Sequence, residues 1–90
     1  MAVNERVDRE TIKRQVVSKI MAVAHLPTEP AENRRLFEDL GMGPTVRRAM
    51  ALPYSRISSE HGGQPVSQSD AGGLRTVGAS IDLVHKRANG

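Results

Sequence analysis

The chain has 90 residues, three histidines, no cysteine, two aromatic side chains (Phe37 and Tyr54) and a formal net charge of +3. A chain of this length makes one small domain, able to bury only about 60–65% of the surface that its unfolded form exposes. The lack of cysteine excludes disulfides, thiolate-bound zinc and a cysteine nucleophile, and no apolar run approaches the roughly 18–20 residues that a membrane-spanning helix needs.

The core is expected to be aliphatic, drawn from nine Val, six Leu, four Ile and four Met. The stretch from Met1 to Glu10 is polar and charged and does not read as a secretory signal, and residues 1–7 read as a flexible arm. A soluble, cytoplasmic monomer is the expectation. A single helical domain is expected over residues 8–87, followed by a short tail at 88–90.

Asp8 can cap a first helix and Glu10 suits its first turn. Ile12, Val16, Ile20 and Val23 recur at helical spacing, with Val17, Met21 and Ala24 widening the apolar stripe. Leu26-Pro27 ends this helix, because a residue before proline avoids the helical region. His25 falls in its last turn and reads as a cap or surface residue.

The polar connection Pro27-Thr28-Glu29-Pro30-Ala31-Glu32-Asn33 follows, and then a short turn carrying Leu36, Phe37 and Leu40 toward the core. A second helix should begin at Pro44, with Gly43 as its N-cap, because the missing N–H of proline would have no partner there. Val46, Ala49 and Met50 form its expected buried stripe. Pro53 costs about 3 kcal/mol inside a helix, so this helix should stop or bend near Ala51. Residues 58–73 hold four Ser and four Gly with one large apolar side chain, Val66, and read as a long flexible loop. Thr76 can cap a closing helix whose Val77, Ile81 and Val84 fall on one side, with His85-Lys86-Arg87 suiting its C-terminus.

Two of these stretches carry a resemblance. Glu38-Asp39-Leu40-Gly41-Met42 followed by a helix start resembles the centre of an acyl or peptidyl carrier protein. There the corner reads Asp-Leu-Gly-x-Asp-Ser-Leu, and the serine bears a phosphopantetheine arm. Phe37 matches the phenylalanine that often precedes that corner, where it is a core residue. Leu74 to Val84 resembles the closing helix of the family, which typically enters through a Thr-Val pair, here Thr76-Val77. The Pro-rich connection matches the long first loop of the family in length and position, and Ser69 to Leu74 occupies the place of its short third helix. The resemblance runs from Thr11 to Val84. It implies an all-α, acyl-carrier-protein-like bundle of three main helices with short helical turns.

This sequence departs from that pattern in two ways. Gly43-Pro44-Thr45 stands where the family has Asp-Ser-Leu, so Pro44 occupies the position of the attachment serine and has no atom to modify. Thr45 has a hydroxyl but lies one residue on, about 100° round the helix. Carrier proteins are also usually acidic on the second helix, whereas residues 42–90 here carry six basic and three acidic side chains. No carboxylate separates Met42 from Arg56, and Arg47 and Arg48 sit in the new helix.

Other chemistries find little footing. Gly41-Met42-Gly43 lacks the preceding strand, third glycine and lysine of a phosphate loop. Ser59-Glu60-His61 lies in a glycine-rich stretch with no rigid support for a nucleophile and base. His25, His61 and His85 lack metal-ligand spacing. No enzyme, metal or cofactor is expected. The reading is therefore a carrier-like domain without an arm, acting as a non-catalytic interaction, scaffold or regulatory subunit linked to lipid or natural-product metabolism. Its candidate partner-binding residues are Gly43, Pro44, Thr45, Arg47, Arg48 and Met50, facing a protein with an acidic surface or a biosynthetic enzyme. The alternatives are a carrier modified on an unorthodox hydroxyl (Thr45 or one of Ser55, Ser58, Ser59, Ser67 and Ser69) and a basic nucleic-acid-binding module, the least favoured because only two aromatics are available for stacking.

Overall fold

The computed structural model describes residues 6–90, and the expected flexible arm lies outside them as far as residue 5. The first helix, α1, is Arg9–Ala24, and Asp8 caps it by accepting from the Thr11 N–H at 2.8 Å. Ile12, Val16, Val17 and Ile20 are buried along one face. Val23, expected to extend that stripe, is 42% exposed, whereas Met21 and Ala24 on either side of it pack against the core. His25 ends α1 in the left-handed region, with φ 57°.

The connection over residues 25–43 is irregular but tied to the rest. Leu36 N–H donates to the Arg75 carbonyl at 2.8 Å, and Val77 N–H donates to the Arg34 carbonyl at 3.0 Å. Those bonds carry Leu36 into the core, where it is 1% exposed. Phe37, also expected there, points outward and is 56% exposed. The turn over residues 36–40 is helix-like, with Gly41 N–H donating to the Phe37 carbonyl at 2.9 Å. Side chains at 36 and 40 share its inner side, whereas 37 is rotated away by about 100°.

Three elements follow: α2 (Pro44–Ala49), α3 (Ala51–Glu60) and α4 (Gln68–Gly72). The break at Met50 is the stop or bend expected near Ala51, and a further helix, α3, starts directly after it. Pro53 sits in the first turn of α3, where the lack of an N–H is tolerated, and Tyr54 N–H donates to the Met50 carbonyl at 2.9 Å. The buried stripe is correspondingly displaced from the expected one. Val46 and Ala49 are exposed, and α2 buries no residue. Met50, Ala51, Tyr54, Ile57 and Ser58 make the buried line.

The stretch expected as a long flexible loop is also corrected. Its first residues belong to α3, and Ser67 caps α4 by accepting from the Asp70 N–H at 3.0 Å. Between them Ser55 Oγ accepts from the Val66 N–H at 2.8 Å, and Ser58 Oγ donates to the Gln64 carbonyl at 2.6 Å. Val66 is thereby held in the core. Hydrogen-bonding serines, not apolar bulk, give this segment its order.

The last helix, α5, is Val77–Ala88, capped by Thr76 through the Ala79 N–H at 3.0 Å, with Val77, Ile81 and Val84 fully buried. It packs on α1 and α3, while α2 packs mainly on α4. The first and last parts of the described residues meet. Val7 N–H donates to Asn89 Oδ1 at 2.8 Å, and Asn89 Nδ2 donates to the Val7 carbonyl at 3.0 Å. Val7 thus belongs with the folded domain rather than with the arm, and Ala88 and Asn89 belong with α5 rather than with a tail. The protein is all-α, with no strand among the described residues and one isolated bridge, Arg35 to Thr76. No helix among the described residues is long and apolar enough to cross a membrane.

Candidate partner-docking corner

The turn into α2 is built from local chemistry. Gly41 takes φ 73°, a conformation that costs other residues about 1 kcal/mol or more. Met42 then drops into the core, its N–H donating to the Leu36 carbonyl at 2.8 Å. Gly43 is the extended N-cap, Pro44 is the first helical residue, and Arg47 N–H closes the first turn on the Gly43 carbonyl at 2.9 Å.

The six candidate residues separate into three environments. Pro44, Thr45 and Arg48 are exposed, and Gly43 is half-buried beside them. Met50 is 3% exposed and belongs to the core, so it offers nothing to a partner. Arg47 is half-buried and engaged within the chain. Its Nη1 donates to the Met42 carbonyl at 2.9 Å and its Nε to the Gly72 carbonyl at 3.2 Å. The guanidinium lies over the Phe37 ring, 5.9 Å from its centroid, within range of a cation–π contact. Arg47 therefore joins the corner to the end of α4, and its reading as a free docking cation is corrected. The Arg48 stem runs against Gly72 while its head reaches solvent.

A small cavity of about 210 Å³ opens beside the corner, lined by Arg35, Phe37, Arg47 and the backbone stretch from Gly72 to Arg75. Arg35 is paired with Asp39 at 3.3 Å. The Arg35 N–H and guanidinium together hold the Asp39 carboxyl below the usual carboxylate range, and Asp39 in turn raises the Arg35 pKa. Charge here is thus partly balanced internally.

The exposed apolar residues of this face are Phe37 and Val46, both of which the sequence pattern places in the core. The adjacency of Leu36 and Phe37 in a tight turn was the available signal, since neighbours there cannot share one face. The hydroxyls named as substitute acceptors divide as well. Ser55, Ser58 and Ser67 are used in the bonds described above, whereas Thr45, Ser59 and Ser69 are exposed. Glu60 and His61 both engage Gln15 of α1, at 3.2 and 2.9 Å. Comparison with protein-family models, with curated protein sequences and with solved structures finds no match.

Proposed function

We propose that this chain is a carrier-like helical domain in which proline has taken the place of the arm-bearing serine, and that it works by binding a protein partner. The observation that supports the reading best is the position of Pro44. It is exposed at the first position of α2, directly after the Glu38–Met42 corner, where a carrier of the resembled family presents its serine. The order of elements agrees with the resemblance: a long helix, a long connection, a bent helix, a short helix and a closing helix capped by Thr76. Without an arm the exposed corner still offers Thr45, Val46 and the Arg48 head as a mixed polar, apolar and cationic contact face. A partner with carboxylates opposite Arg48, such as an enzyme of lipid or natural-product assembly, suits it. The domain would then act as a scaffold or regulatory subunit.

Incubation of the purified protein with coenzyme A and a broad-specificity phosphopantetheinyl transferase tests the first half of this reading. Intact mass should remain that of the unmodified chain. An adduct mapped to Thr45, Ser59 or Ser69 would overturn it in favour of a working carrier.

A further inference from the structure

A second surface shares no residue with the corner. A groove of about 520 Å³ runs between α1 and α3, lined by Arg14, Ser18 and Lys19 on one wall and by Pro53, Arg56 and Ile57 on the other. Arg14, Lys19 and Arg56 are exposed, and among the described residues none of them has a carboxylate partner, in contrast to Arg9, Lys13, Arg35 and Arg87. Glu60 also lines the groove, at the end where Gln15 holds it at 3.2 Å.

The helices run antiparallel along this groove, since Gln15 meets Glu60 while Lys19 and Pro53 share the cavity. Val23 lies one turn beyond Lys19, and Leu52 lies one turn before Arg56, so both extend the strip at the end away from Glu60. These are two of the four exposed large apolar side chains among the described residues, at 42% and 60%. Three unanswered cations therefore lead into an apolar end, over ten residues of α1, or about 13 Å of helix rise.

We infer that the α1/α3 groove is a docking site for an acidic amphipathic helix of a partner protein, its carboxylates facing Arg14, Lys19 and Arg56 and its apolar side chains covering Val23 and Leu52. Charge complementarity selects this occupant. A second copy of this basic chain would repeat the charge instead of answering it. A nucleic acid finds no aromatic face among the lining residues and leaves the apolar side chains of Val23 and Leu52 uncovered. The cavity accepts several side chains, more than a single small anion needs.

The test uses a synthetic helical peptide of about 14 residues, long enough to span the strip, with leucines at i, i+3, i+4 and i+7 flanked by glutamates. A scrambled peptide of equal composition, duplex DNA and phosphatidylglycerol vesicles serve as competitors. Binding to the full chain is followed by fluorescence anisotropy and by amide NMR shifts. The amphipathic peptide should bind saturably, with shifts centred on residues 14–23 and 52–60, and more weakly as salt rises. Arg14→Glu with Arg56→Glu should weaken it by at least about tenfold, and Leu52→Ser should weaken it as well, with helical CD unchanged. Lys19→Glu with Arg56→Glu provides a second charge variant should the first fail to fold. No saturable binding, equal binding of the scrambled peptide, shifts centred on the α2 corner, or tighter binding of DNA or vesicles would each overturn the inference. The proposed loss of the arm is untouched by any of these outcomes.

Discussion

Tyr54 is 1% exposed in the core, and its hydroxyl has no hydrogen-bond partner among the described residues. Burial pushes the phenol up to about 12, against a smaller opposite pull from Ser80. The Ser80 hydroxyl itself donates to the Thr76 carbonyl at 3.2 Å. A buried donor without a partner costs about 1–3 kcal/mol in lost hydration. Tyr54→Phe should therefore leave the chain as stable as before or stabilise it by about 1 kcal/mol, read from chemical denaturation. A clear loss would show that the hydroxyl is satisfied. Gly63 shows a different constraint. A Cβ there would run into the Arg87 carbonyl, the Ala88 backbone and Ser58 Oγ. Gly63→Ala should cost about 2–3 kcal/mol, since backbone on α5 cannot yield. Gly41→Ala meets open space and only a strained φ, and should cost about 1 kcal/mol. A reversal of that order in melting temperature would contradict the packing of the 61–67 segment on α5.

Among the elements, one carboxylate of the irregular connection adds to its backbone ties a link to both α1 and α5. Glu32 accepts from Arg9 at 2.8 Å and pairs with Lys13 at 3.3 Å, while Arg9 also reaches Asp82 of α5 at 2.8 Å. The Arg9 guanidinium, assisted by Lys13, lowers the Glu32 carboxyl from 4.5 to about 2. A depressed folded-state pKa gives stability that is present above about 4.5 and lost as pH falls through about 2. Glu32→Gln should flatten the dependence of stability on pH across that window. At neutral pH the loss should be under about 1 kcal/mol, because the Glu32 side chain is 37% exposed and screened by solvent. An unchanged acid limb in a urea-denaturation series would show that the pairs do not hold in solution.

The same scale explains what the sequence made legible. Asp8, Gly43-Pro44 and Thr76 mark helix starts through contacts within three residues, so those starts could be read directly. The new helix through Pro53 could not, because a proline is read as a terminator of the helix before it unless the restart at Ala51 is known. The Ser- and Gly-rich stretch hid its order because its bonds join Ser55 to Val66 and Ser58 to Gln64, across a turn that composition does not reveal.

For the molecule as a whole, the all-α class and the starts of α1, α2 and α5 follow from helix caps and apolar spacing, whereas α3 runs into, and α4 lies within, the stretch that composition reads as a loop. The positions of Gly43 to Arg48 in the first turns of α2 were equally readable. Their roles were not, because Met50 lies in the core and the bond of Arg47 to the Gly72 carbonyl depends on α4, distant in sequence. That finding changes how the central proposal should be tested. Reversing Arg47 would disturb the corner itself, so only Arg48, whose head is free, should be reversed to admit a transferase that prefers acidic carriers. The variant Gly43→Asp, Pro44→Ser, Thr45→Leu, Arg48→Glu restores the motif of the resembled family at the helix start while keeping Arg47 in place. Aspartate suits the N-cap, and serine suits the first turn. Intact mass after incubation with coenzyme A and a broad-specificity transferase is the decisive measurement. A helical, cooperatively folded variant should gain one phosphopantetheine group on the side chain introduced by Pro44→Ser, whereas the same variant remaining folded at its unmodified mass would contradict the carrier-like reading.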